Sequence, residues 1–114
     1  MAEECIFCKI VAGEIPAEKV YEDEQVVGFR DIKPAAPTHL LFIPKEHIPT
    51  INDLTDAHEA LVGRLVRAAQ QTAAREPLSG GYRLVFNCLG DAGQEVYHIH
   101  LHLLGGRRLG WPPG

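Results

Sequence analysis

The most regular pattern in the chain is His98-Ile99-His100-Leu101-His102-Leu103-Leu104, in which imidazole and aliphatic side chains alternate from His98 to Leu103. On a β-strand successive side chains point to opposite faces, so this pattern predicts a strand with three imidazoles on one face. The aliphatic residues Ile99, Leu101 and Leu103 would then enter the core. We place this last strand from Val96 to Leu104.

The imidazole row has a geometric limit as a metal site. At about 3.3 Å per residue, His98 and His102 lie about 13 Å apart, so one metal ion cannot take all three histidines. Neutral imidazole is a nucleophile near pH 7, and a protonated neighbour stabilises phosphate oxygens or protonates a leaving group. The glycine-containing loop Leu89–Gln94 precedes the row, and the combination favours a phosphorylated substrate over a merely polar strand face.

The other elements follow from turn residues and hydrophobic patterning. We expect an α+β domain whose mostly antiparallel sheet is covered on one face by a long helix. The predicted elements are a short helix over 4–12, strands over 19–21, 25–30, 39–43 and 82–87, and a long helix over 55–76.

The long helix is apolar over about 180°, against the roughly 100° that one packing contact requires. Ala57, Leu61 and Leu65 belong to one side, which Val62 and Val66 widen. A second copy of the chain is the simplest additional partner, and deeper burial in a single core is the alternative.

Composition bounds the class of protein. The chain has 114 residues, 46% of them hydrophobic, which predicts one domain over 1–114. The net charge of −4 argues against a nucleic-acid partner, although one nucleotide needs only local donors. No apolar run approaches membrane-spanning length, and MAEEC at the start does not resemble a signal peptide. The 3 cysteines, an odd count, favour a reducing compartment, so we expect a cytoplasmic protein.

The histidine row resembles the signature of the histidine triad (HIT) superfamily. The likeness also covers Cys5–Ile10, Asp31–Pro34, Pro37–His39, Ile43–Lys45, Gly93–Gln94 and Gly105–Arg107. The tail Gly110–Gly114 resembles the Hint branch, and so does a histidine at 102, where Fhit-like dinucleoside polyphosphate hydrolases carry glutamine. The resemblance implies a five-stranded antiparallel sheet with one long and one short helix, extended across a homodimer.

The resemblance also implies a purine nucleoside phosphoramidase that hydrolyses adenosine 5′-phosphoramidates to AMP. His100 would attack phosphorus and form a nucleotidyl-histidine intermediate, its other ring N–H held by a backbone carbonyl. His102 and His39 would bind phosphate oxygens or assist proton transfer, and no metal is required for this attack. A hydrolase of dinucleoside polyphosphates or other nucleotidyl conjugates, and a nucleotide-binding interaction module, are the alternatives.

The same likeness assigns the contacts with substrate. Asp31 would accept hydrogen bonds from the ribose, and Asn87 would hold ribose or phosphate. The alternatives are that Asp31 caps the loop at Pro34 and that Asn87 satisfies backbone groups in its turn. We expect Phe29 and Ile32 to contact the base; the alternative for Phe29 is that it belongs to the core. Backbone amides around Gly93, Gln94, Glu95 and Val96 would also contact the substrate. Trp111 would do so across a dimer.

Glu95 departs from the animal Hint proteins, which often carry a small hydroxyl residue at this position. A carboxylate repels phosphate unless it is protonated or turned outward, so Glu95 bears on the leaving group. Strand alternation places it on the face opposite His98, so it would reach the site only through curvature of the loop.

Cys5 and Cys8 form half of a tetrahedral zinc site. Zinc-bearing members of the superfamily complete it with residues matching His47 and His98, and this resemblance implies a structural zinc ion. The alternative is a reduced cysteine pair that packs the short helix.

Overall fold

The computed structural model describes residues 4–114. The elements are α1 (Ile6–Val11), β1 (Lys19–Glu22), β2 (Val26–Arg30), β3 (Thr38–Pro44), α2 (Glu59–Ala73), β4 (Tyr82–Phe86) and β5 (Leu101–Gly105). The strands form one five-stranded sheet in the order β1-β2-β3-β5-β4, and every neighbouring pair is antiparallel. This is the α+β architecture with one long and one short helix that the sequence predicts.

The last strand lies inside the sheet, between β3 and β4. In its register Leu41 of β3 faces His102, and Leu40 faces Leu103. Since side chains alternate, His39 lies on the same face as Leu41 and is a diagonal neighbour of His102. The sheet register therefore brings two histidines together that are far apart in the sequence.

Each face of the sheet has its own apolar cluster. On one face α2 packs through Leu61 and Leu65 against a cluster that includes Leu101 and Leu103. On the other face α1 contributes Phe7 and Ile10 to a smaller cluster; its remaining buried members are Cys5, Val27, Phe29, Leu41 and Ile43. The expectation of a sheet covered on one face only was therefore wrong, because the short helix covers part of the second face.

The last strand is shorter than the predicted span from Val96 to Leu104. The five residues before Leu101 are irregular, and the backbone N–H of Ile99 donates to the carbonyl of Ile48 (2.8 Å) instead of to a sheet neighbour. Ile99 is nevertheless buried in the cluster beneath α2, as the alternation predicts.

The long helix is also shorter than predicted. Residues 56–58 form a 3-10 turn whose first N–H groups are capped by Thr55, and the α-helix begins at Glu59. Ala57 is exposed, because the helical phase that placed it on the apolar side does not extend into this turn. Within residues 4–114 no helix is long and apolar enough to cross a membrane.

Candidate active site

His100 is held by the backbone of its own segment. Its Nδ1–H donates to the carbonyl of His98 at 2.8 Å, so the lone pair of the neutral ring is at Nε2. Burial lowers the pKa of His100 below its ordinary value, although the bond to His98 and the charge of Asp31 oppose the shift. The backbone carbonyl expected from the sequence is therefore present, and the imidazole is kept neutral.

His39 and His102 form a chain of hydrogen bonds with a defined direction. The backbone N–H of Ala35 donates to His39 Nδ1 (3.0 Å), so the ring hydrogen of neutral His39 is on Nε2. That N–H donates to His102 Nδ1 (2.9 Å), which places the ring hydrogen of His102 on Nε2. Burial lowers the pKa of His102 to about 4, with smaller contributions from His100 and His39.

Asn87 and Asp31 border this pair. The Asn87 amide nitrogen lies 3.5 Å from His102 Nε2, so two N–H donors lie side by side. One oxygen of Asp31 accepts the backbone N–H of Lys33 (2.8 Å), and the other lies 3.5 Å from His39 Nε2. Asp31 therefore caps its loop, as in the alternative interpretation, and still directs an oxygen towards the histidines.

A cleft of about 410 Å³ opens at these residues, within the size range of small-molecule sites. Its polar lining includes Asp31, Asn87, His100 and His102, and its apolar lining includes Phe29. The lining also includes Ile6, Phe7, Ile10, Ile32, Leu41, Gly93, Glu95 and Val96. Ile32 is 90% exposed and Phe29 is 4% exposed, so the first can belong only to the rim and the second only to the wall.

Phe7 is a site residue that the sequence reasoning missed. Its ring meets that of His100 edge to face, with centroids 5.2 Å apart, and it meets His98 in the same manner at 5.9 Å. It also packs against Phe29 at 5.6 Å. Phe7 belongs to the segment Cys5–Ile10 that carries the family likeness, but its helical spacing from Ile10 predicts only burial and not contact with histidines.

Gln94 organises the loop before the histidine row. Its side-chain oxygen accepts the N–H of Leu89 (2.8 Å), and its nitrogen donates to the carbonyls of Pro49 (2.8 Å) and Val96 (3.1 Å). The side chain expected to contact substrate is therefore already fully used by the backbone.

The loop amides differ in what they have left to donate. The N–H groups of Gly93 and Gln94 are bonded to Gly90 and Leu89 within the loop. Among residues 4–114, the N–H groups of Glu95 and Val96 have no such acceptor. The donors expected over Gly93 to Val96 are thus reduced to the last two.

Of two further predicted substrate contacts, Glu95 lies at the cleft and Trp111 does not. Glu95 lines the cleft, because the irregular backbone before Leu101 does not follow the strand alternation that placed it on the opposite face. Trp111 is 82% exposed and lies outside the cleft. The tail that carries it is attached to β4 by a hydrogen bond from Arg83 to the carbonyl of Gly110 (2.7 Å).

A second cluster consists of Cys5, Cys8, His47 and His98, whose ligand atoms lie within 4.8 Å of one another. Cys5 Sγ is 3.4 Å from His98 Nδ1, Cys8 Sγ is 3.3 Å from His47 Nδ1, and the two Nδ1 atoms are 3.2 Å apart. Tetrahedral zinc ligands with bonds of about 2.0–2.3 Å lie about 3.3–3.8 Å from one another. The spacing therefore fits a tetrahedral metal ion.

The surroundings of His98 support the same conclusion. Its Nε2–H donates to the carbonyl of Pro44 (2.8 Å), which leaves Nδ1 with a lone pair that points at the two sulfurs. An outer hydrogen bond that fixes the tautomer in this way is typical of metal-binding histidines.

Comparison with known proteins agrees with this geometry. A family model described as "Scavenger mRNA decapping enzyme C-term binding" matches residues 4–108. The chain is 54% identical over 111 residues to the purine nucleoside phosphoramidase of Escherichia coli K12, covering 96% of this chain and 93% of that protein.

The chain is also similar to solved structures of histidine triad proteins. A HIT family hydrolase from Legionella pneumophila is 58% identical with a TM-score of 0.95, covering 97% of this chain and 100% of that one. A histidine triad protein from Clostridium difficile is 42% identical with a TM-score of 0.91, covering 94% of each. With the histidine row, the sheet order and these likenesses in agreement, the chain belongs to the histidine triad (HIT) family.

Proposed function

We propose that this protein is a purine nucleoside phosphoramidase, which hydrolyses the P–N bond of adenosine 5′-phosphoramidates to AMP. The observation that carries the proposal is the hydrogen bond from His100 Nδ1–H to the carbonyl of His98. It leaves Nε2 of a neutral, buried imidazole as the nucleophile. The 54% identity to a relative named purine nucleoside phosphoramidase supports the same reaction.

The reaction proceeds in two displacements. His100 Nε2 forms a bond to phosphorus while the P–N bond of the substrate breaks, and the departing nitrogen takes the electron pair and one proton from the solvent. The His98 carbonyl stabilises the positive charge that develops on the imidazole. Water then attacks phosphorus, the bond to His100 breaks, AMP leaves, and the second proton of the water is released.

The neighbours of His100 stabilise the charge on phosphorus. The Nε2–H of His102 and the amide of Asn87 donate to phosphate oxygens, since both are donors in the tautomer that His39 imposes. The free N–H groups of Glu95 and Val96 supply further donors at the same wall of the cleft.

The nucleoside occupies the apolar part of the cleft. Phe29 and Ile32 contact the base, and the Asp31 oxygen that does not cap the loop accepts the ribose hydroxyls. A nucleotide-sized cleft on an acidic chain supports a small-molecule substrate and not a nucleic acid. The three free cysteines among the described residues support the proposal of a cytoplasmic protein.

We further propose that Cys5, Cys8, His47 and His98 hold one structural zinc ion. The ion would connect α1 to the segment that carries His100, and its role is structural. Burial and the neighbouring Cys5 raise the pKa of the Cys8 thiol to about 11, so formation of the thiolate depends on the positive charge of the metal.

A homodimer is part of the same proposal. On α2, Val66 is 41% exposed although it lies on the apolar side, and β4 is a sheet edge with Tyr82 40% exposed. An exposed edge strand beside an incompletely covered helix suits pairing with a second copy. The exposed Trp111 would then contact the active site of the partner rather than its own.

Intact mass under acid-free denaturing conditions tests the mechanism. The protein is mixed briefly with adenosine 5′-phosphoramidate, and released AMP is followed in parallel. We expect an AMP adduct or rapid AMP release with the wild type and with His58→Ala, whose histidine lies outside the cleft, and neither with His100→Ala. Turnover by His100→Ala at the wild-type rate would contradict the mechanism. AMP binding without adduct or turnover in the wild type would indicate a nucleotide-binding module.

A further inference from the structure

The loop between β2 and β3, residues 31–37, carries the amide that orients the ring of His39. The backbone N–H of Ala35 donates to His39 Nδ1 (3.0 Å). Two residues of this loop, Pro34 and Pro37, have no backbone N–H, so the loop has few donors with which to hold its own shape. Whatever fixes the position of Ala35 therefore bears on the histidine pair.

Arg107 attaches this loop to the segment that follows β5. Its guanidinium donates from Nη2 to the carbonyl of Ala35 (3.2 Å) and from Nη1 to the carbonyl of Arg108 (3.1 Å). The planar fork of donors is suited to holding two acceptors in fixed positions. Among residues 4–114, Arg107 forms no ion pair with a carboxylate. The described contacts of its guanidinium are therefore with backbone carbonyls alone.

The backbone beside Arg107 also lies against the loop. Gly105 is paired with Thr38 in the sheet register, and Gly106 follows with a φ of +90°. A Cβ at Gly106 would lie 2.9 Å from Pro37 Cβ, which is closer than such atoms approach. Glycine at this position allows the end of β5 to touch the loop, and Arg107 then reaches across to Ala35.

We propose that Arg107 is a positioning residue for His102. It holds the carbonyl of Ala35, and this keeps the N–H of the same residue aligned with His39 Nδ1. His39 in turn donates to His102 Nδ1, which leaves the ring hydrogen of His102 on Nε2. Arg107 lies outside the cleft and acts only through this chain of hydrogen bonds. The inference rests on the proposed function, in which His102 donates to phosphate oxygens.

The tautomer of His102 tests this assignment without any substrate. In protein labelled with ¹⁵N-histidine, protonated and unprotonated ring nitrogens differ in ¹⁵N chemical shift. Burial lowers the pKa of His39 and of His102, so both rings are neutral at pH 7. For the wild type we expect a protonated Nε2 and an unprotonated Nδ1 in each. In Arg107→Ala the two ¹⁵N shifts of His102 should move towards each other, because the two tautomers are then mixed.

Steady-state kinetics with adenosine 5′-phosphoramidate measures the consequence for the reaction. Arg107→Ala should lower kcat about threefold, the effect of one exposed hydrogen bond, and should change KM less. In a His39→Ala background the same substitution should lower kcat by less than about 1.5-fold, because the chain of hydrogen bonds is already broken.

Arg108→Ala is the matched control. It removes a neighbouring exposed cation whose side chain forms no hydrogen bond or ion pair among residues 4–114. This variant should leave kcat, KM and the ¹⁵N shifts of His102 unchanged. A general effect of positive charge would instead appear in both arginine variants. Thermal unfolding of each variant verifies that it is folded.

The outcomes separate the two proposals. If the wild type does not hydrolyse the phosphoramidate, the proposed function fails, and the ¹⁵N shifts still decide whether Arg107 sets the tautomer of His102. Unchanged ¹⁵N shifts of His102 in Arg107→Ala would overturn the assignment of Arg107. The same conclusion would follow from an equal fall of kcat in Arg108→Ala, or from a threefold fall that persists in the His39→Ala background.

Discussion

His39 Nε2 lies 2.9 Å from His102 Nδ1, across two neighbouring antiparallel strands. The direction of this hydrogen bond is set outside the pair, because the backbone N–H of Ala35 occupies the other nitrogen of His39. A loop amide therefore determines which nitrogen of His102 carries the ring hydrogen. We propose that His39 is a positioning residue that acts through His102.

Replacing His39 should impair the chemical step more than substrate binding. In His39→Ala the tautomer of His102 is no longer imposed, and we expect kcat to fall about tenfold, equivalent to the loss of one hydrogen bond. KM for adenosine 5′-phosphoramidate should change less than kcat. Steady-state kinetics checks this, and an unchanged kcat with a raised KM would show that His39 only binds substrate.

The burial of His102 makes stability depend on pH. Its pKa is about 4 in the folded protein and near 6.5 in the unfolded chain, so the unfolded state binds more protons between these values. The free energy of unfolding should therefore fall as the pH is lowered from 7 to 4. His102→Gln should reduce the slope by up to about 1.4 kcal/mol per pH unit, measured by urea unfolding across this range. The other buried histidines are common to both proteins, so parallel slopes would argue against this contribution of His102.

Replacement of Cys8 and replacement of Cys88 should differ in their effects on zinc content and thermal stability. Cys8→Ser should abolish stoichiometric zinc and lower the melting temperature, because one of four ligands is lost. Cys88→Ser is the matched control, since this cysteine is free and lies outside the cluster of four ligands. Metal analysis of the purified proteins, with thermal unfolding before and after chelation, measures both effects. Equal zinc contents in the two variants would contradict the ligand set.

Gln94 should prove structural. Gln94→Leu leaves the N–H of Leu89 and the carbonyls of Pro49 and Val96 without their partners. We expect the free energy of unfolding to fall by about 1–3 kcal/mol, because three hydrogen bonds made by a buried side chain are lost. Gln25→Leu, at an exposed position in the turn before β2, is the control. Urea unfolding measures the free energy of unfolding of both variants. Similar values would contradict the structural role of Gln94.

The alternation of histidine and aliphatic residues predicted which side chains are buried better than it predicted the length of the strand. It assigned Ile99 to the core correctly even though the strand begins only at Leu101, because the alternation of sides extends back from Leu101 to Ile99; at Glu95 it no longer holds. The carbonyl partner of His100 also followed from its chemistry. By contrast, Phe7 and Gln94 act through contacts with residues distant in the sequence, and no local pattern distinguishes such residues from ordinary core or loop positions.

Phe7 provides the most direct test of how the α1 side of the sheet controls the chemistry. Its ring lies edge to face on His100 at an interplanar angle of 85°, and it is 6% exposed, so it restricts the rotation of the imidazole. Phe7→Leu keeps an apolar side chain but removes the aromatic ring that makes this edge-to-face contact. We expect kcat to fall about threefold to tenfold, with less than about 1.5 kcal/mol lost in the free energy of unfolding.

Phe29→Leu is the matched control for Phe7→Leu. Phe29 lines the same cleft and packs against Phe7, but its ring does not stack on that of His100. We therefore expect Phe29→Leu to raise KM more than it lowers kcat, and Phe7→Leu to do the reverse. Steady-state kinetics with adenosine 5′-phosphoramidate separates the two parameters. If both variants change only KM, Phe7 is a wall of the nucleoside site and does not position His100.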